Sequence, residues 1–292
     1  MSSVSSYGSW LPPVAEPPGG PPPARVEPPG DDDDAPRWAP WTAWVALLAA
    51  VALAIFGAIV VGIVGAIFGA SLNDPPPAVN IAATIVQDGA FVAAAVLFAA
   101  RAGRVRPAQF GFVRARVRPA LGWMALAYLG YVLLGQLWVQ LVDTHAKDKL
   151  PTSLGVDQSK VALVAVCALV TVIAPLAEET LFRGYVFGAL RNWRGPWPAA
   201  LLTGAVFGAI HGYSTPAVFL VPLGILGFML CVVRWRTGSL LPCIALHAIN
   251  NALAFGVTEH WTAGQTLLLG VGAVGVTMLA CLALLAPRTR PA

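Results

Sequence analysis

From residue 41 onward the chain alternates long apolar runs with short polar breaks. The runs fall at 42–71, 79–100, 120–143, 160–190, 198–213, 216–234, 242–257 and 264–286. A helix needs roughly 20 apolar residues to cross a ~30 Å hydrocarbon layer. Inside that layer every backbone N–H and C=O must be paired within the protein, and a helix does this by itself. The pattern therefore predicts an all-α polytopic membrane helical bundle of about eight transmembrane helices. The fifth and seventh runs, about 16 residues each, need local thinning of the bilayer or burial among their neighbours. The first run lies behind a long polar tail and is longer than the apolar stretch of a secretory signal, so it is expected to remain as a span.

Residues 1–40 read differently. They hold eleven of the 25 prolines and the acidic run Asp31 to Asp34. Such a segment buries too little apolar surface to offset its ordering entropy, and a disordered Pro-rich cytoplasmic tail is expected there. The membrane-embedded domain is assigned to 41–287. Composition agrees: 57% of residues are hydrophobic and 11% charged, against about 25% charged in soluble domains. The net charge of +4 is too small to argue for a nucleic-acid partner, and the partner that composition implies is the lipid bilayer.

The distribution of charge tests the span count. With eight crossings and a cytoplasmic start, fourteen of the fifteen arginines fall in cytoplasmic segments: Arg25, Arg37, Arg101, Arg104, Arg106, Arg114, Arg116, Arg118, Arg191, Arg194, Arg234, Arg236, Arg288 and Arg290. Lys and Arg accumulate on that side, so both termini are placed in the cytoplasm. The fifteenth arginine is Arg183, inside the fourth run. Cys167, Cys231, Cys243 and Cys281 lie in apolar stretches without close spacing and read as packing residues.

An ionisable group inside a span costs roughly 2.5–3.5 kcal/mol on insertion scales and faces a bundle interior or a wet cavity. Here these groups are Asp88, Glu178, Glu179, Arg183, His211 and His247. Glu179 and Arg183 are i and i+4, acid first, the better order for a helical pair. Glu178 is turned about 100° away and is freer to point elsewhere. Phe207 and His211 stack on one face of the fifth run; His247 and Asn251 do so on the seventh, with Asn250 beside them. Asn251 can hold the imidazole's tautomer or donate to a substrate oxygen. One carboxylate and two imidazoles activate water in either of two ways: as Glu178, His211 and His247 around Zn²⁺ or another divalent ion, or by metal-free general-base catalysis. Depth disagrees with assembly: counted at ~1.5 Å per residue from the cytoplasmic ends, His247 lies roughly 8 Å deep, His211 about 20 Å and Glu178 about 18 Å. Helix tilt or shifted span ends must supply the difference. Asp88 belongs to no such group and reads as a packing residue or part of an ion path.

The ordered set EETLFR (178–183), FGAIH (207–211) and HAINN (247–251) resembles the EExxxR, FxxxH and HxxxN motifs of the CPBP family, the CAAX protease and bacteriocin-processing intramembrane endopeptidases. The resemblance covers about residues 160–255. It implies that Glu178 is catalytic and activates water, that His211, His247 and Asn251 complete the site, and that Glu179, Arg183 and Phe207 support it. It also implies an intramembrane endopeptidase, with a membrane-associated peptide or protein as substrate and the metal question open. The alternatives are a non-proteolytic immunity or regulatory binding protein on the same fold, and a proton-coupled transporter. The Ala, Gly, Pro and Arg-over-Lys bias points to a high-GC bacterial source and hence a bacterial cell membrane.

Overall fold

The computed structural model describes residues 38–142, 153–213 and 215–285. Residues 1–37 of the proposed tail, with Arg25 and Arg37, and also Arg288, Arg290, His145, Lys147 and Lys149 lie outside these residues, while Trp38, at the end of that tail, is buried. Among the described residues the structure is helical, with no strand. In chain order the helices are α1 (Trp41–Ile67), α2 (Pro77–Ala100), the short α3 (Pro107–Phe110), α4 (Val117–Val142), α5 (Lys160–Arg194), α6 (Pro196–Ile210), α7 (Leu220–Thr237), α8 (Leu241–Thr258) and α9 (Ala263–Leu282).

Seven helices among the described residues are long and apolar enough to cross a membrane, and the chain is an integral membrane protein. The eighth expected span is the shorter α6, which packs antiparallel to α7. α6 has 15 residues, about 22 Å at 1.5 Å per residue, and it ends in the tight turn His211–Tyr213. Gly212 and Pro216 then reverse the chain into α7. α6 and α7 pack at very close range, as small residues allow in membranes: a Cβ on Gly204 would stand 2.6 Å from the Phe228 amide nitrogen, and one on Gly227 3.0 Å from Gly204 Cα.

The two ends of the bundle are chemically distinct. At one end the Trp38 ring lies 5.2 Å from Phe110 and 4.5 Å from Tyr185, and Asn192 Nδ2 donates to Trp38 O at 3.1 Å. Leu240 N donates to Gly111 O at 2.7 Å, Arg236 stacks over Trp123 at 4.7 Å, and Cys281 joins the same core as Trp38. The start of α1, the Arg-rich α2–α4 connection, the end of α5, the α7–α8 connection and the end of α9 therefore share this end. At the other, Asn80 Nδ2 donates to Ser153 O at 3.0 Å, and Leu154, Val156 and Phe255 form a separate apolar cluster. The arginine pattern holds with α6 included, because α6 and α7 pack antiparallel and the start of one and the end of the other lie on the same side.

α5 carries two widened, π-helical stretches, Leu169–Ile173 and Thr180–Val186, a feature frequent at functional sites. The first has a local cause. Pro175 has no N–H, and its ring crowds the carbonyl one turn back. The Ala174 N–H bonds Leu169 O, so Val170 O has neither residue 174 nor residue 175 as a partner.

Candidate functional site

The site forms where α5, α6, α7 and α8 meet. Glu179 and Arg183 are both fully buried, and Arg183 Nη1 donates to Glu179 Oε1 at 2.9 Å. Arg183 Nη2 donates to Gly227 O at 3.1 Å on α7, and its guanidinium lies 4.3 Å from the Phe207 ring centre on α6. The arginine thus locks three helices together at a contact that the α6–α7 glycines make narrow. The same Glu179 oxygen takes His247 Nδ1 at 2.8 Å. A carboxylate only accepts, so Nδ1 carries the hydrogen and Nε2 faces the other way. It faces Glu178: His247 Nε2 and Glu178 Oε2 are 3.9 Å apart, and Oε2 is buried without a hydrogen-bond partner.

His211, at the end of α6, shares Phe207 as a neighbour with His247: the Phe207 ring centre is 5.0 Å from the His211 ring and 5.8 Å from the His247 ring. His211 Nδ1 donates to Phe207 O at 2.7 Å, which leaves Nε2 for substrate or water. On the face of α6 turned away from Phe207, an open apolar cavity of about 520 Å³ is lined by Leu134, Ala205, Ala209, Leu220, Gly224 and Phe228.

The depth mismatch dissolves once both helices are counted from one level. A Cβ on Gly184 of α5 would meet Phe110 at 3.2 Å, and Leu240 pairs with the adjoining Gly111. Glu178 is six residues deeper than Gly184 and His247 seven deeper than Leu240, about 9 and 10 Å respectively. The last turns of α5, with Arg191, Asn192 and Arg194, lie at the polar end, and α8 starts buried at Leu240. Neither fact shows in an apolar run.

Of the two roles read for Asn251, the hold on His247 falls to Glu179, and Asn251 Nδ2 donates to Val170 O at 2.8 Å, the carbonyl that Pro175 orphans. Asn251 Oδ1 accepts from Asn250 Nδ2 at 3.3 Å. The metal option also meets a test. Among the described residues no three His, Cys, Asp or Glu side chains are grouped to hold an ion; Glu178 and His247 approach each other, but no third donor completes a set. We route no step through a metal.

This geometry accompanies a family relationship. Residues 160–253 match the family model described as type II CAAX prenyl endopeptidase Rce1-like, over the stretch in which the three motifs resemble those of the CPBP family. An uncharacterized 24.3 kDa protein of Escherichia coli is 33% identical over 141 residues, 47% of this chain and 62% of that protein. The UPF0177 protein YxdF of Lactococcus lactis subsp. lactis (strain IL1403) is 27% identical over 129 residues, 44% of this chain and 67% of that protein. The chain thus spans 62% of the length of the first of these relatives. No solved structure matches.

Proposed function

We propose that the protein is an intramembrane endopeptidase that hydrolyses peptide bonds of membrane-associated proteins or peptides with a water activated by Glu178. The observation that supports this most directly is the 3.9 Å gap between Glu178 Oε2 and His247 Nε2. It is too long for a direct hydrogen bond and short enough for one water to bridge. Glu178 takes a proton from that water as the hydroxyl oxygen attacks the scissile carbonyl carbon. The C–N bond breaks when the tetrahedral intermediate collapses, and the Glu178 proton passes to the leaving amine.

His247 is braced for the charged half of this cycle. With Glu179 on Nδ1, the ring can carry a second hydrogen on Nε2 with its positive charge matched, and so donate to the oxyanion. Arg183 keeps Glu179 in place for that task. The second N–H of the Asn251 amide and the His211 ring are the further candidates for contact with substrate. A substrate segment has to be unwound at the site, because helical peptide has its carbonyls occupied.

The test is the Glu178→Ala variant of the full chain in its native membranes. Wild-type membranes are expected to lose specific polypeptides that accumulate in the variant, with both proteins inserted in equal amounts. Identical membrane proteomes, or cleavage that persists in the variant, would remove the mechanism.

A further inference from the structure

Asp88 is the buried ionisable group that this chemistry leaves unused. It lies midway along α2 at 2% exposure, and neither of its carboxyl oxygens has a hydrogen-bond partner. α2 runs parallel to α5, since Asn80 near its start pairs with Ser153 while Phe98 near its end lies 6.5 Å from Tyr185. The register is fixed by Phe91 against Phe182, edge to face at 6.4 Å. Asp88 stands about one turn before Phe91, and Glu178 about one turn before Phe182, each on the same face as its phenylalanine. Parallel packing therefore brings the two carboxyl groups level, and each is within electrostatic reach of the other.

The charged groups around Asp88 are few. α1, packed along α2, has no ionisable side chain. α5 presents Glu178 at this level; Glu179 and Arg183 are committed to each other, and Lys160 lies at the distant start of the helix. Two ionised carboxylates with no cation between them repel strongly in a medium of low dielectric. One hydrogen carried between them removes the repulsion and supplies a partner to otherwise orphaned oxygens.

We infer that Asp88 is a positioning residue of the site, holding the Glu178 carboxyl group toward His247 through a single hydrogen shared between the two acids. This rests on the reading of Glu178 as the base. Glu178 is then gripped on the α2 side and presents its remaining capacity to the water.

Three variants of the full chain in lipid nanodiscs test it. Asp88→Leu keeps the volume, removes the acid and should stay inserted and at least as heat-resistant as wild type. Its kcat on the polypeptide that accumulates in Glu178→Ala membranes should fall about 100-fold, the scale of a misplaced catalytic group, with KM unchanged. Asp88→Asn, which keeps an N–H toward Glu178, should recover most of that loss. Independently of turnover, infrared spectra at neutral pH should show a protonated-carboxyl band that disappears in Asp88→Asn. Wild-type kcat in Asp88→Leu, or a band that Asp88→Asn leaves unchanged, overturns the inference. Cleavage by Glu178→Ala would instead overturn the reading on which it rests.

Discussion

Arg183 and Glu179 show what a buried pair does besides balance its own charge. Each is fully buried, so removing either strands the other in a medium that penalises lone charge. Arg183→Ala is expected to destabilise the protein by about 3–5 kcal/mol, the usual cost of breaking such a pair; heat denaturation in detergent measures it. Glu179→Gln is milder for packing but costs His247 its carboxylate. The expected result is a folded protein whose kcat falls while KM holds, because a neutral amide cannot match the charge of an imidazolium. A fall in KM-dependent binding alone would count against that assignment.

At the scale of the element, the widened turn before Pro175 couples two helices. Val170 O has lost its partner on α5 to Pro175, and Asn251 on α8 supplies one. Asn251→Leu should cost about 1–2 kcal/mol, in the range of interhelical hydrogen bonds in membranes. Pro175→Ala restores an N–H five residues after Val170. The double variant Asn251→Leu/Pro175→Ala should therefore regain part of that stability, a non-additivity that a thermodynamic cycle reads directly. Simple addition of the two effects would show that the carbonyl is not what Asn251 serves. A second element-scale expectation concerns α6 and α7. Gly204→Val puts a branched side chain where even one Cβ lies 2.6 Å from backbone. The helices must part, moving Gly227 O away from Arg183 and His211 away from Phe207. Both stability and cleavage should fall, whereas Gly122→Val on α4, where a Cβ meets nothing within 4 Å, should leave both near wild type.

For the whole molecule, the shared end of the bundle makes a topological prediction. Single cysteines at Arg104, Gly195 and Arg236, in a background where the four native cysteines are replaced by alanine, should be labelled by an impermeant thiol reagent from one side of the membrane. Cysteines at Asp157 and Glu259 should be labelled from the other. The arginine-rich end is expected to be cytoplasmic. Labelling of residues 195 and 236 from opposite sides would mean that α6 crosses fully and α7 does not return.

How much of this was legible beforehand follows from which forces act locally. Apolar runs long enough for lipid determine where helices lie, and i, i+4 spacing determines that Glu179 pairs with Arg183 while Glu178 stays available; both are properties of a single helix. The ordered motifs marked the residues that assemble. What no single helix contains is the level at which its neighbours meet it. The buried start of α8, the polar last turns of α5, the hold of Glu179 on His247, the service of Asn251 to an orphaned carbonyl and the placement of Asp88 opposite Glu178 all depend on contacts between segments distant in the chain. Local sequence specifies secondary structure and membrane affinity because those are settled by nearest neighbours and by solvent. Registers between helices are settled by close packing and by the pairing of buried polar groups, and only the folded bundle decides them.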